Sequence, residues 1–179
     1  LYYAFGADRD RDHSILSRLH NAILARRKSR HLPVEVVHPA KILHPLRRIH
    51  HPAEIEAVKS AILLTERAHQ ACIKESRPGK TEAELEATLL YHFHSQGGSE
   101  AYPSIVATGK NACVLHYIKN NATIKKGELI LIDAGASVDY FNADITRTFP
   151  ADRTWSAEHR AAYEIVLEAQ KKAIKTSQA

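Results

Sequence analysis

The segment from Glu128 to Pro150, ELILIDAGASVDYFNADITRTFP, constrains this chain more than any other. Leu129-Ile130-Leu131-Ile132 is a short apolar run, and Ile145-Thr146-Arg147-Thr148-Phe149 is β-branched and alternating. Together they predict two strands joined by a tight connection. Asp133 stands near the end of the first strand and Asp144 near the start of the second. A turn at Val138-Asp139 would set the two aspartates directly opposite each other on one face. Carboxylates so placed repel, with Cβ atoms roughly 4.5–5.5 Å apart, and a cation between them would reverse the sign of that interaction. The bland alternative is a bulge or another turn that sends one carboxylate to water. Spacing alone does not choose.

Composition sets outer limits. A chain of 179 residues, 44% hydrophobic and 25% charged, can bury one real core. No run approaches the roughly 18 apolar residues of a membrane helix. The net charge of +5 is uneven: residues 1–51 hold 10 Lys/Arg against 4 Asp/Glu, and the remainder is close to neutral. The basic run Arg26-Arg27-Lys28-Ser29-Arg30 lacks the aromatic interleaving of a base-stacking surface. It reads better as a solvated helix end, where cations favour the dipole, so neither nucleic acid nor membrane is expected as a partner. Cys72 and Cys113 form no metal or redox motif and read as small buried hydrophobes. The chain has no Met and opens on Leu1, so it reads as an internal piece of something longer.

In chain order, apolar spacing predicts a helix over Asp8 to Arg30, a strand over Val34 to Val37, and a proline-marked linker over Leu43 to His51. A helix should start at Pro52, with Ile55, Val58, Ile62 and Cys72 as its buried stripe. Thr81 and Glu84 form a capping box for the next helix, whose apolar face is Leu85, Leu89 and Phe93 and whose end is Gly97-Gly98. Strands follow around Ser104–Thr108 and Val114–Tyr117, then a turn at Lys126-Gly127 and the hairpin. Ser156 caps a last helix with Ile165, Val166 and Ala169 along one side. His92 and His94, two apart on a helix, point to opposite sides and cannot share an ion.

Several motifs in order resemble one family. Asp133-Ala134-Gly135, the run Asp144-Ile145-Thr146-Arg147-Thr148-Phe149-Pro150, Pro103-Ser104-Ile105-Val106 and Asn111 through Leu115-His116-Tyr117 are similar to the pita-bread metallopeptidases, which include Xaa-Pro aminopeptidases, prolidases and methionine aminopeptidases. His116 precedes Asp133 by 17 positions, as in that family. The wording looks most like the aminopeptidase P branch, and Leu46 through Ile55 resembles the junction between its two domains. The resemblance implies an α+β fold. Residues 52–179 would be the first half of a pita-bread domain, with helices on a curved antiparallel sheet. Residues 1–51 would be the tail of a creatinase-like N-terminal α/β domain.

The same resemblance implies two divalent metal ions, Mn²⁺ being favoured by carboxylate-rich ligation. Asp133 would bind one and Asp144 bridge both, while His116 would contact substrate beside the metals rather than ligate them. Two ions about 3.5–4 Å apart would activate a bridging water against peptides with proline in second position. Three further ligands, a His and two Glu, are expected but not found: Glu158, His159, Glu164 and Glu168 follow Asp144 too closely and in the wrong context. The 179 residues alone are therefore expected to bind metal weakly and to be inactive. Prolidase activity, and a non-catalytic peptide-binding module, are the alternatives. Reduced cysteines and soluble composition favour a cytoplasmic location, and a homo-oligomer is expected by analogy.

Overall fold

The computed structural model describes residues 1–25 and 35–177. The basic run at 26–30 and the start of the expected strand at Val34 lie outside them. Two compact units meet the eye, Leu1–His51 and Pro52–Ala179.

The first unit contains α1 (Arg9–Leu24) and α2 (Ala40–Arg47). The Asp8 side chain caps α1 by accepting the Arg11 N–H. Among the described residues, strand structure here is a parallel bridge between Tyr2 and Val37. Where a linker was expected from Leu43, α2 continues through Pro45. The proline forfeits one backbone bond of an eight-residue helix instead of ending it.

The second unit is a helix layer against an antiparallel sheet. α3 (Pro52–Glu75) and α4 (Glu82–Ser95) form the layer. The capping box at Thr81 and Glu84 is present in both directions. Leu85, Leu89 and Phe93 are fully buried, as their spacing predicts, each worth roughly 1.5–3 kcal/mol over exposure. The buried stripe of α3 is Ala61, Leu64, Thr65, Ala68, His69 and Cys72. Of the stripe expected there only Cys72 is in the core, whereas Ile55 and Ile62 are exposed. The helix is rotated so that small and polar residues meet the sheet. Burial pushes the Cys72 thiol up to about 12, while Cys113 is exposed, contrary to expectation.

The strands are β1 (Ser99–Glu100), β2 (Ile105–Thr108), β3 (Leu129–Ala134), β4 (Ala136–Val138), β5 (Phe141–Asn142) and β6 (Ile145–Pro150), followed by α5 (Ala157–Thr176). They pair in the orders β2-β3-β6 and β1-β4-β5. Ile130, Ile132 and Ala134 of β3 are buried, and Leu129, Leu131 and Asp133 alternate with them. Alternation therefore puts Asp133 on the face away from the core side of the strand. The strand expected over Val114–Tyr117 is absent; a 3-10 turn at Gly109–Cys113 leads into irregular chain there. Ser156 caps α5 as predicted, but Ile165 and Val166 are exposed and no residue of α5 is buried. Among the described residues nothing covers that side.

The hairpin register differs from the one expected. Asp139 and Tyr140 both have positive φ, 50° and 68°, the pattern of a type I′ turn, whose twist matches the strands. Moving the turn by one residue shifts the register by two, so Asp133 pairs with Thr146 rather than Asp144. An even shift keeps every side chain on its face, and the aspartates remain diagonal neighbours.

Candidate metal centre

Asp133 and Asp144 converge on one atom. The Tyr102 hydroxyl lies 2.8 Å from Oδ1 of Asp133 and 3.0 Å from Oδ1 of Asp144. A phenol has one proton, so it donates to one carboxylate at a time while both compete for it. Burial first, then these two carboxylates, push the Tyr102 phenol far above its ordinary range, and it remains a donor throughout neutral pH. Nothing in the spacing pointed to Tyr102, because its partners are 31 and 42 residues away.

The strands pinch beside this point. A Cβ on Gly135 would stand 1.8 Å from the Ala143 carbonyl oxygen and 3.2 Å from Cε1 of Tyr102. The Ala143 N–H donates to the Ala136 carbonyl at 2.9 Å, and the Ala101 N–H to the Gly135 carbonyl at 2.9 Å. Glycine is thus required by close approach, and through it the chains bearing Tyr102, Asp133 and Asp144 are tied together.

His116 shares a cleft of about 390 Å³ with Asp133, Asp144, Tyr102, Pro103, Ile105 and Ile118. Its backbone is left-handed, φ 54°, a conformation uncommon outside glycine and held only where the surroundings dictate it. They do so on the C-terminal side. Tyr117 donates to Oε2 of the fully buried Glu82 at 2.8 Å. Asn120 accepts the Val106 N–H at 3.0 Å and donates to the Ser104 carbonyl at 2.8 Å. Glu82 also accepts the backbone N–H groups of Thr108 and Ala122 and the Asn111 amide, at 2.8, 2.9 and 3.1 Å. A buried carboxylate with four donors is well compensated. It anchors the His116 loop to the start of α4.

In kind, the donors fit a hard divalent cation, since both are carboxylates. In number they are few: among the described residues no group of three or more His, Cys, Asp or Glu could hold an ion. Glu158, His159, Glu164 and Glu168 belong to α5, and none lines the cleft.

Residues 56–179 match the model of metallopeptidase family M24. A curated Xaa-Pro aminopeptidase of Haemophilus influenzae is 39% identical over 141 residues, which is 78% of this chain and 33% of that protein. The Xaa-Pro aminopeptidase of Escherichia coli is 32% identical over 169 residues, 94% of this chain and 38% of its own. The chain thus spans about a third of the length of either relative. Among solved structures, the Pseudomonas aeruginosa aminopeptidase PepP superposes with a TM-score of 0.88 at 43% identity, covering 94% of this chain and 38% of that one. A variant of Escherichia coli aminopeptidase P in complex with substrate gives 0.88 at 33% identity, covering 93% and 38%. The pita-bread α+β fold expected from the motifs is the fold these structures share with the chain.

Proposed function

The chain belongs to metallopeptidase family M24, and on that premise we propose that the whole protein removes the N-terminal residue from peptides with proline in second position. These 179 residues supply the segment with Asp133, Asp144 and His116, and residues 1–51 close a preceding N-terminal domain. The observation that carries the reading is the convergence of the two carboxylates on Tyr102 in the cleft that His116 lines. Named relatives are Xaa-Pro aminopeptidases, which supports the proline specificity.

Asp133 and Asp144 would hold two divalent ions, Mn²⁺ by the oxygen-rich donor set, completed by ligands from outside this chain. When bound, the ions supply Lewis acidity toward a water and the scissile carbonyl. The residues of this chain do the positioning. Tyr102 orients the aspartates through its single proton, and His116 contacts substrate in the same cleft. Proline at the second position removes the N–H that strand-like peptide binding uses, so recognition must come from the cleft walls. Two free cysteines suit a reducing compartment such as the cytoplasm, and no helix among the described residues is long and apolar enough to cross a membrane. A homo-oligomer is part of the proposal by analogy.

The test is hydrolysis by the full-length protein with Mn²⁺, comparing an Xaa-Pro-Xaa tripeptide with an Xaa-Pro dipeptide, with and without chelator. Chelator-sensitive cleavage of the tripeptide is expected. Cleavage of the dipeptide alone would make the enzyme a prolidase, and cleavage of neither by folded, metal-loaded protein would leave a peptide-binding module.

Tyr102→Phe probes the geometry separately. Losing the one donor that both carboxylates share is expected to weaken Mn²⁺ binding about tenfold, as for other supports of metal ligands, read by calorimetry. An unchanged or tighter affinity would mean that the hydroxyl competes with the ion rather than orienting its ligands.

A further inference from the structure

Two polar side chains on the buried face of α3, Thr65 and His69, lie one turn apart beneath the joint of β3 and β4. Thr65 is fully buried and satisfied: its hydroxyl donates to the Ala61 carbonyl and accepts the Ala136 N–H, both at 2.8 Å. His69 is different. It is 3% exposed, yet neither ring nitrogen has a hydrogen-bond partner. Its imidazole lies near the carbonyls of Ala134 and Ile145 without reaching hydrogen-bond geometry with either. Burial holds it below the ordinary imidazole range, so one nitrogen keeps a proton and the other is bare.

The placement of those carbonyls gives the observation its meaning. Ala134 and Ile145 are partners in the β3–β6 ladder. Ala134 directly follows Asp133, and Ile145 directly follows Asp144. The imidazole therefore faces the one rung whose two residues each adjoin a site aspartate. The other charged groups that act on it are Arg147 and Asp133. A buried donor left unmade is costly, and an apolar side chain of similar volume would avoid that cost. What a core filler would not provide is a ring N–H close to the rung between the two carboxylates.

We propose that His69 is a positioning residue for Asp133 and Asp144. Its N–H is donated to the Ala134 or Ile145 carbonyl when the strand pair closes on divalent cations, and this bond fixes the spacing of the two carboxylates. The inference rests on the metal-site reading above and deepens it.

The experiment uses the full-length protein and two substitutions, His69→Leu, which fills the space without a donor, and His69→Gln, which keeps an N–H. Mn²⁺ affinity is measured by calorimetry on all three proteins, with the melting temperature of the metal-free forms and a split of kcat from KM on an Xaa-Pro-Xaa tripeptide. His69→Leu is expected to bind Mn²⁺ about 10–100-fold more weakly and to lose kcat with little change in KM, while its metal-free form melts no lower than wild type. His69→Gln should recover most of the affinity. Wild-type affinity and kcat in His69→Leu would overturn the proposal and make His69 a core filler. So would a folded His69→Gln as impaired as His69→Leu. A wild-type protein that itself bound no Mn²⁺ would overturn the metal reading, and the role given to His69 with it, and is told apart from those failures by the wild-type titration alone.

Discussion

Asp144→Ala in the full-length protein is expected to lower Mn²⁺-dependent peptide hydrolysis by about a thousandfold or more, while the metal-free protein melts at the same temperature or higher. The two halves of this expectation have one cause. Asp133 and Asp144 are like charges that meet at a single hydroxyl, and in the absence of a cation their repulsion opposes the fold. Removing one relieves it, and Tyr102 keeps Asp133 as its acceptor. Asp144 is exposed, so truncation opens no cavity, and substitutions of that kind usually stay within about 0.5 kcal/mol. With metal the balance reverses. If Asp144 holds the divalent ions as proposed, its loss would remove several kcal/mol of transition-state stabilisation, and about 1.4 kcal/mol is a factor of ten in rate. The check is kcat/KM on a tripeptide beside the melting curve of the apo form. A lower apo melting temperature with activity retained would mean that Asp144 is structural. Asp144→Asn should fall between the two, since one ligand oxygen survives without its charge.

How much of this was legible in the sequence depended on the range of the interaction. The capping box at Thr81 and Glu84 and the stripe of Leu85, Leu89 and Phe93 act within one or two turns, so pattern and local chemistry suffice to place them. The strands on either side of the hairpin were legible for the same reason. Their register was not, because it hangs on which two residues accept positive φ. Asp139 and Tyr140 do, and tyrosine is not a residue that announces it. The even shift spared the site, since both aspartates stayed on one face. Elements stabilised by distant contacts were misread. Val114–Tyr117 has strand composition, but Tyr117 is drawn to Glu82 across 35 residues. The buried face of α3 is Ala61, Leu64, Thr65, Ala68, His69 and Cys72 instead, packed on the apolar side chains of the sheet, with Thr65 also accepting the Ala136 N–H. Tyr102 and His69 carry no motif of their own. Only the folded chain shows that Tyr102 binds both aspartates and that His69 lies beside the residues that follow them.

Gly135→Ala is expected to have the largest structural effect of any single methyl added to the described residues of the sheet. The new Cβ would lie 1.8 Å from the Ala143 carbonyl oxygen and 2.6 Å from its carbon, far inside contact distance. The obstruction is backbone, so no rotamer change and no truncation of a neighbouring side chain relieves it. One strand must move, and each candidate movement reaches the site. Displacing Ala143 strains its bond to Ala136 and carries Asp144 along; displacing Gly135 strains the bond from Ala101 and carries Asp133. Tyr102, 3.2 Å from the same Cβ, leaves little slack on the other side. Overpacking of a rigid interior costs 1–3 kcal/mol and occasionally more; against the Ala143 backbone on one side and the Tyr102 ring on another we expect at least about 3 kcal/mol. A displacement of about 1 Å at reacting groups can cost a hundredfold in rate. The full-length variant should therefore melt well below wild type, bind Mn²⁺ more weakly, and turn over tripeptide at a small fraction of the normal rate even at temperatures where it is folded. Wild-type melting and wild-type Mn²⁺ affinity together would show that the strands can splay at Gly135 without moving either aspartate, and the pinch would then have no part in holding the site.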